Sequence, residues 1–154
     1  MSNPPKGAAW VFVEVFLLVS MFLLITSRGT GSLEISLGWS NYNDLDLSVV
    51  TVGGETVDFS KKHSKCGGVL DVGMNGAPQA LTPVNNIIWP IATTPRLLIK
   101  VYVTHYKNHG EAECQDPSEF VVRIKQGESI HLFRRSVIHA DAAHKKVLVT
   151  EVDQ

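Results

Sequence analysis

The sequence predicts a mainly β protein: a single N-terminal transmembrane helix followed by an antiparallel β-sandwich. Three observations predict it. Residues 8–27 read AAWVFVEVFLLVSMFLLITS, an apolar run long enough to cross a bilayer, which takes about 20 residues. From residue 33 onward, apolar and polar residues alternate in short stretches, the period of strands with one buried face. Turn residues separate these stretches at the spacing of an antiparallel sandwich.

The elements follow in order. Residues 1–7 form a short polar tail in which Pro4 and Pro5 prevent early helix. Residues 8–27 are the span, and residues 28–32 (RGTGS) a flexible joint. In the domain at 33–154, Leu33, Ile35, Leu37 and Trp39 fall on one face of a first strand. Leu45, Leu47 and Val49 repeat the pattern around Asp46 and Ser48. Val57 and Phe59 continue it after a turn at Gly53-Gly54, and Val69 and Val72 lie in a short run after Gly67-Gly68. Residues 96–106 are the longest alternating stretch, with Ile99, Val101 and Val103 opposing Lys100, Tyr102 and Thr104. Phe120, Val122 and Ile124 alternate with Val121, Arg123 and Lys125. Gln126-Gly127-Glu128 then turns the chain into a strand at 129–133, and residues 147–152 close the sheet. Seven or eight strands are expected. Residues 138–144 (IHADAAH) are the one stretch with a possible helical period.

The chain has 154 residues, enough for one modest core beyond the span. Its net charge is −1 and it has no dense basic patch, which argues against nucleic acid as a partner. The apolar run is longer than a signal-peptide core and no A-x-A-like site follows it, so a retained anchor is favoured over a cleaved leader. Lys6 and the α-amine precede the span and Arg28 follows it. The positive-inside rule then puts the N-terminus in the cytoplasm and exports the C-terminal domain.

Glu14 is the single charge inside the span. Such a charge costs ~2.5–3.5 kcal/mol at a helix centre on insertion scales. Protonated, the carboxyl is tolerable there; ionised, it needs a cation or a wet pore. Ser20 and Thr26 do not share its helix face, and one span encloses no pore, so a role in ion movement requires a partner. The alternatives are a helix-pairing signal and a tolerated residue near the membrane edge.

Two resemblances bear on function. WSNYNDLDLSVV from Trp39, KCGGVLDVGMNGAPQ from Lys65 and PRLLIKVYVTHYKNHG from Pro95 resemble the YfaP-like β-sandwich family, whose function is largely unknown. The resemblance covers about 75 residues and implies the fold. The run from Glu14 to Thr26 resembles the single span of the ExbD/TolR and MotB-type subunits of ion-driven motors. It implies Glu14 as a proton carrier, in a homodimer held within a ring-forming polytopic membrane protein. It also implies a bacterial inner-membrane protein with its domain in the periplasm, binding a target there. Here the acid is Glu rather than the usual Asp, and the exported domain is a sandwich.

Asn43, Asp44, Asp46 and Asp71 are candidate hard-oxygen ligands for calcium, which takes about six to eight of them. The family's second acid is Gly73 here, and its Gly-Pro-Glu is Ala77-Pro78-Gln79. The plainer alternative is that Asp44 caps a turn and Asp46 faces solvent. Cys66 and Cys114 are compatible with a disulfide or with two free thiols. His105 and His109 flank a strand-end turn, where a solvated loop is expected, and His139 and His144 lack the spacing of a helical zinc pair. With no nucleophile or phosphate-loop motif, an enzyme is not expected. Two function classes result: a proton-motor subunit, or an anchored β-sandwich binding module with calcium as its candidate ligand.

Overall fold

Each alternating stretch forms a strand, and the alternation decides which side chains meet in the middle. The computed structural model describes residues 33–75, 78–90, 99–109, 116–139 and 146–152. The strands are β1 (Leu33–Trp39), β2 (Asp44–Thr51), β3 (Thr56–Val57), β4 (Val69–Val72), β5 (Val84–Trp89), β6 (Ile99–Lys107), β7 (Ser118–Gln126), β8 (Ser129–Val137) and β9 (Val147–Val152). They make two antiparallel sheets. One runs β4-β5-β1-β7-β8 and the other β3-β2-β6-β9. No helix occurs among the described residues, and none there is long and apolar enough to cross a membrane. The span at 8–27 and the joint at 28–32 lie outside the described residues, as do 140–144 of the stretch with a helical period.

The sheets share one core. Leu33, Ile35, Leu37 and Trp39 of β1 meet Leu45, Leu47 and Val49 of β2, Ile99, Val101 and Val103 of β6, and Phe120, Val122 and Ile124 of β7. Burying these faces is the main favourable term in folding. Two tryptophans, Trp39 and Trp89, are fully buried in it. Gly68 packs flat against the Trp89 indole, where any Cβ would overlap the ring. In the β7–β8 hairpin Gln126 faces Ser129, leaving a two-residue loop. Gly127 begins that loop at φ 56, a conformation that costs glycine little.

One difference from the sequence expectation stands out. β5 (VNNIIW) does not alternate and was not expected, yet it pairs with β1 along its whole length. Asn85 and Asn86 are unfavourable for strands in general. Here both are buried and bonded: Asn85 Nδ2 donates to Leu45 O at 2.7 Å, and Asn86 Oδ1 accepts from Ser36 Oγ at 2.8 Å. β6 begins at Ile99 in the described residues, so residues 96–98 of that expected strand lie outside them.

Candidate functional site

The acids read from the sequence meet in one cleft. Asp44 and Asp46 come from β2, Asp71 from β4, Tyr106 from β6 and Asn85 from β5; Phe59 and Lys62 come from the loop after β3. Leu47, Leu70 and Met74 add apolar wall, and the cavity holds about 340 Å³. It opens where β3 is too short to cover β2. That strand pairs with Val49 and Val50, so among the described residues the stretch from Asp44 to Leu47 has no strand neighbour on that side.

Two irregularities aim side chains into the cleft. Leu70 pairs with Ile87 and Val72 with Asn86, which leaves Asp71 as the extra residue of a β-bulge on β4. Asp44 pairs with Lys107 and Leu45 with His105, which leaves Tyr106 extra on β6. A bulge re-aims the side chain it carries and is frequent beside functional sites.

A buried polar knot holds the start of β2. Asn75 Nδ2 donates to Asn43 O and to Ala80 O, both at 3.0 Å, and Asn75 Oδ1 accepts from Ala80 N at 2.6 Å. Trp39 Nε1 donates to Asn43 O at 2.7 Å. Asn43 Nδ2 donates to Ser118 Oγ at 3.1 Å. Asn43, a candidate ligand from the sequence, therefore belongs to this knot rather than to the cleft lining.

The carboxylates are electrostatically costly. Asp44 is 8% exposed, and no described residue donates a hydrogen bond to its carboxylate. Burial pushes its pKa up, against the pull of His109 and Lys107. Asp46 is half-buried and pushed up to about 7 by burial, then by the charges of Asp44 and Asp58; Lys146 opposes this. Asp58 is itself engaged, accepting from Ser60 N at 2.9 Å and Lys61 N at 3.0 Å. A buried polar group without a partner costs ~1–3 kcal/mol, and more when charged.

The three acids share the cleft without converging on one point. Among the described residues no group of three or more His, Cys, Asp or Glu is placed to hold a metal ion. Asn85 Oδ1 beside them accepts from Met74 N at 2.8 Å.

The other expected sites are separate. Glu14 and Cys114 lie outside the described residues. Cys66 is a half-buried free thiol with Ser64 Oγ at 3.1 Å. His105 differs from expectation: it is buried inside β6 rather than solvated, and its ring packs edge-on against His139 at 5.0 Å. Its neighbour Asp116 Oδ1 is 3.9 Å from Nδ1. His109 instead reaches the loop, with Nδ1 at 2.9 Å from Gln79 Nε2. A second hollow of about 580 Å³ lies beside Trp39, Phe120, Arg134 and Arg135, away from the acids.

Sequence reading missed Phe59, Tyr106, Lys62 and Asn85 as parts of the site. Phe59 carried a signal, because it continued an apolar alternation beyond the end of a two-residue strand. Its ring is 55% exposed and packs against Tyr106 with centroids 5.8 Å apart. The chain matches no protein-family model, no curated protein and no solved structure with which it was compared.

Proposed function

We propose that the chain is a membrane-anchored recognition module that binds a ligand in the acidic cleft. Residues 8–27 anchor it, and the two-sheet, sandwich-like domain is displayed outside the cytoplasm, in the periplasm of a bacterial inner-membrane protein. One observation carries the binding reading: Asp44 is more than nine-tenths buried as a residue, lines the cleft and has no hydrogen-bond donor among the described residues. Its oxygens open on the cleft without a protein donor, and a ligand that supplies donors or charge there would meet a carboxylate whose solvation is already reduced.

The test is thermal unfolding of the full chain in maltoside micelles against ammonium, guanidinium and calcium salts, with sodium chloride at equal ionic strength. A bound ligand raises the midpoint by mass action. The reading expects at least one of these salts to do so in the wild type and to lose that effect in Asp44→Asn. Equal behaviour of both proteins in all three salts refutes it.

The lone carboxylate in the apolar run favours a second reading, a proton-motor subunit in which Glu14 carries the proton within a ring of a polytopic partner. It predicts loss of function in Glu14→Gln and co-purification of the ring protein with a dimer of this chain. The anchored-module reading survives both Glu14→Gln and replacement of the whole span by a neutral helix.

A further inference from the structure

We infer that the acidic cleft takes an organic cation, an alkylammonium group whose head meets Asp44 and Asp46 and whose carbon body lies against Phe59 and Tyr106. The inference rests on the cleft being the binding site and names what fills it.

Four features of the cleft select this chemistry. First, Asp44 is 8% exposed as a residue and lines the cleft, and its carboxylate has no hydrogen-bond donor among the described residues. An ammonium brings three N–H donors as well as a charge, and charge-assisted bonds are about twice as strong as neutral ones. Second, the lining contains Asp44, Asp46 and Asp71 against Lys62 alone, so the field favours a cation.

Third, the rim is aromatic. Phe59 and Tyr106 are 55% and 40% exposed and pack on each other beside the acids. An exposed aromatic pair next to carboxylates suits a cation with an apolar body, because a ring face attracts an ammonium by ~0.5–2 kcal/mol. Leu47, Leu70 and Met74 continue the apolar wall for the carbon chain. A bare metal ion would use none of these surfaces.

Fourth, the donor set is poor for a hard divalent ion. No three ligating side chains converge among the described residues, and both ends of the Asn85 amide are engaged, with Met74 N and Leu45 O. Calcium needs about six to eight oxygens around one point. The volume, about 340 Å³, admits a chain of several carbons bearing the charge.

Asp46 makes binding depend on pH. The charges facing it are Asp44 on its own strand, Asp58 from the loop after β3, and Lys146 just before β9. Asp71 and Lys62 face the cleft, and His109 and Lys107 act on Asp44. An incoming ammonium favours the ionised form of both acids, so binding expels a proton in weakly acidic solution and tightens as pH rises.

The experiment is calorimetric titration of the full chain in maltoside micelles with 1,5-diaminopentane, with Nα-acetyl-lysine methylamide, with calcium chloride and with the uncharged 1-pentanol. Saturable binding of an amine is expected, with no binding of pentanol. Affinity should fall about tenfold or more in Asp44→Asn and several-fold in Phe59→Ser, an exposed position where loss of folding is not at issue. It should weaken several-fold from about pH 8 to about pH 5.5, with proton release growing as pH falls. Binding of the diamine alone identifies a free amine as the ligand. Comparable binding of the lysine derivative identifies a lysine side chain of a protein partner. Saturable calcium binding that Asp44→Asn abolishes, with no amine bound, overturns the inference and leaves the cleft as the site. Amine binding unchanged in both variants overturns the assignment to this cleft. No binding of any probe overturns both.

Discussion

Replacing Asp46 by Asn is expected to stabilise the domain at neutral pH and to leave its stability in acid nearly unchanged. The carboxyl of Asp46 has an ordinary pKa of 3.8 and is pushed up to about 7 in the folded domain by burial and by Asp44 and Asp58. Between those values the folded protein holds a proton that the unfolded chain has released. Folding therefore takes up a proton, and stability falls as pH rises through that window. Below it the group is neutral in both states and costs nothing. Above it the cost is constant. The gap between the two values corresponds to a ceiling of ~4 kcal/mol. Asp46 is only half-buried, so solvent screening reduces this to ~2 kcal/mol. Asn keeps the shape and removes the charge.

The assay is urea unfolding of the full chain in maltoside micelles, followed by tryptophan emission, for wild type and Asp46→Asn at several pH values. Subtracting the two curves isolates Asp46 from the other titrating groups. The expected difference is near zero at about pH 4 and ~2 kcal/mol in favour of Asn at about pH 8. A difference that does not change with pH, or an Asn variant less stable at about pH 8, refutes the reasoning.

Three further outcomes follow from the packing. Gly68→Ala would put a Cβ 2.7 Å from Trp89 Nε1 and closer still to Cε2 and Cζ2. It should cost ~1–3 kcal/mol by overpacking, read from the urea midpoint and from altered indole emission in the folded state. Asn75→Ala removes the bonds that tie Asn43 O and Ala80 to the start of β2, at a residue with φ 73 where Asn is tolerated and Ala is strained. A loss of ~3 kcal/mol in the same assay is expected, with weaker amine binding in the calorimeter because Asp44 follows directly on Asn43. His105 is held neutral by burial first and by His139 next, against the pull of Asp116. Its pKa is lowered from 6.5, so its contribution to stability is present above that value and lost as pH falls below it. Imidazole NMR signals of His105 should titrate at lower pH than those of a free imidazole, and His105→Phe should soften the acid limb of the stability profile.

Most of the strands were legible because their cause is local. Leu33, Ile35, Leu37 and Trp39 alternate whatever else the chain does, and an alternating stretch has one way to bury its apolar face. β5 was not legible, because its two asparagines are tolerated only through bonds to Leu45 O and Ser36 Oγ, fifty residues or fewer upstream but on other strands. His105 misled in a similar way. Its place near a strand end suggests solvent, yet the register of β6 against β2 turns it into the core beside Leu45.

The acids were named from the sequence, and that they share a cleft was not derivable from it. By itself the sequence determined that this chain carries a long apolar run holding Glu14, an alternating β domain after it, and carboxylates at 44, 46 and 71. These are consequences of side-chain chemistry and period, which a linear string carries in full. Tertiary structure alone decided that Asp71 and Tyr106 occupy bulges, that β3 stops short of Asp44, and that Phe59 closes the rim. Pairing between strands distant in sequence creates a bulge, and it takes one extra residue on one side to create it. Period-2 alternation within a single strand holds no record of that extra residue, so where the acids point was settled only when the sheets formed.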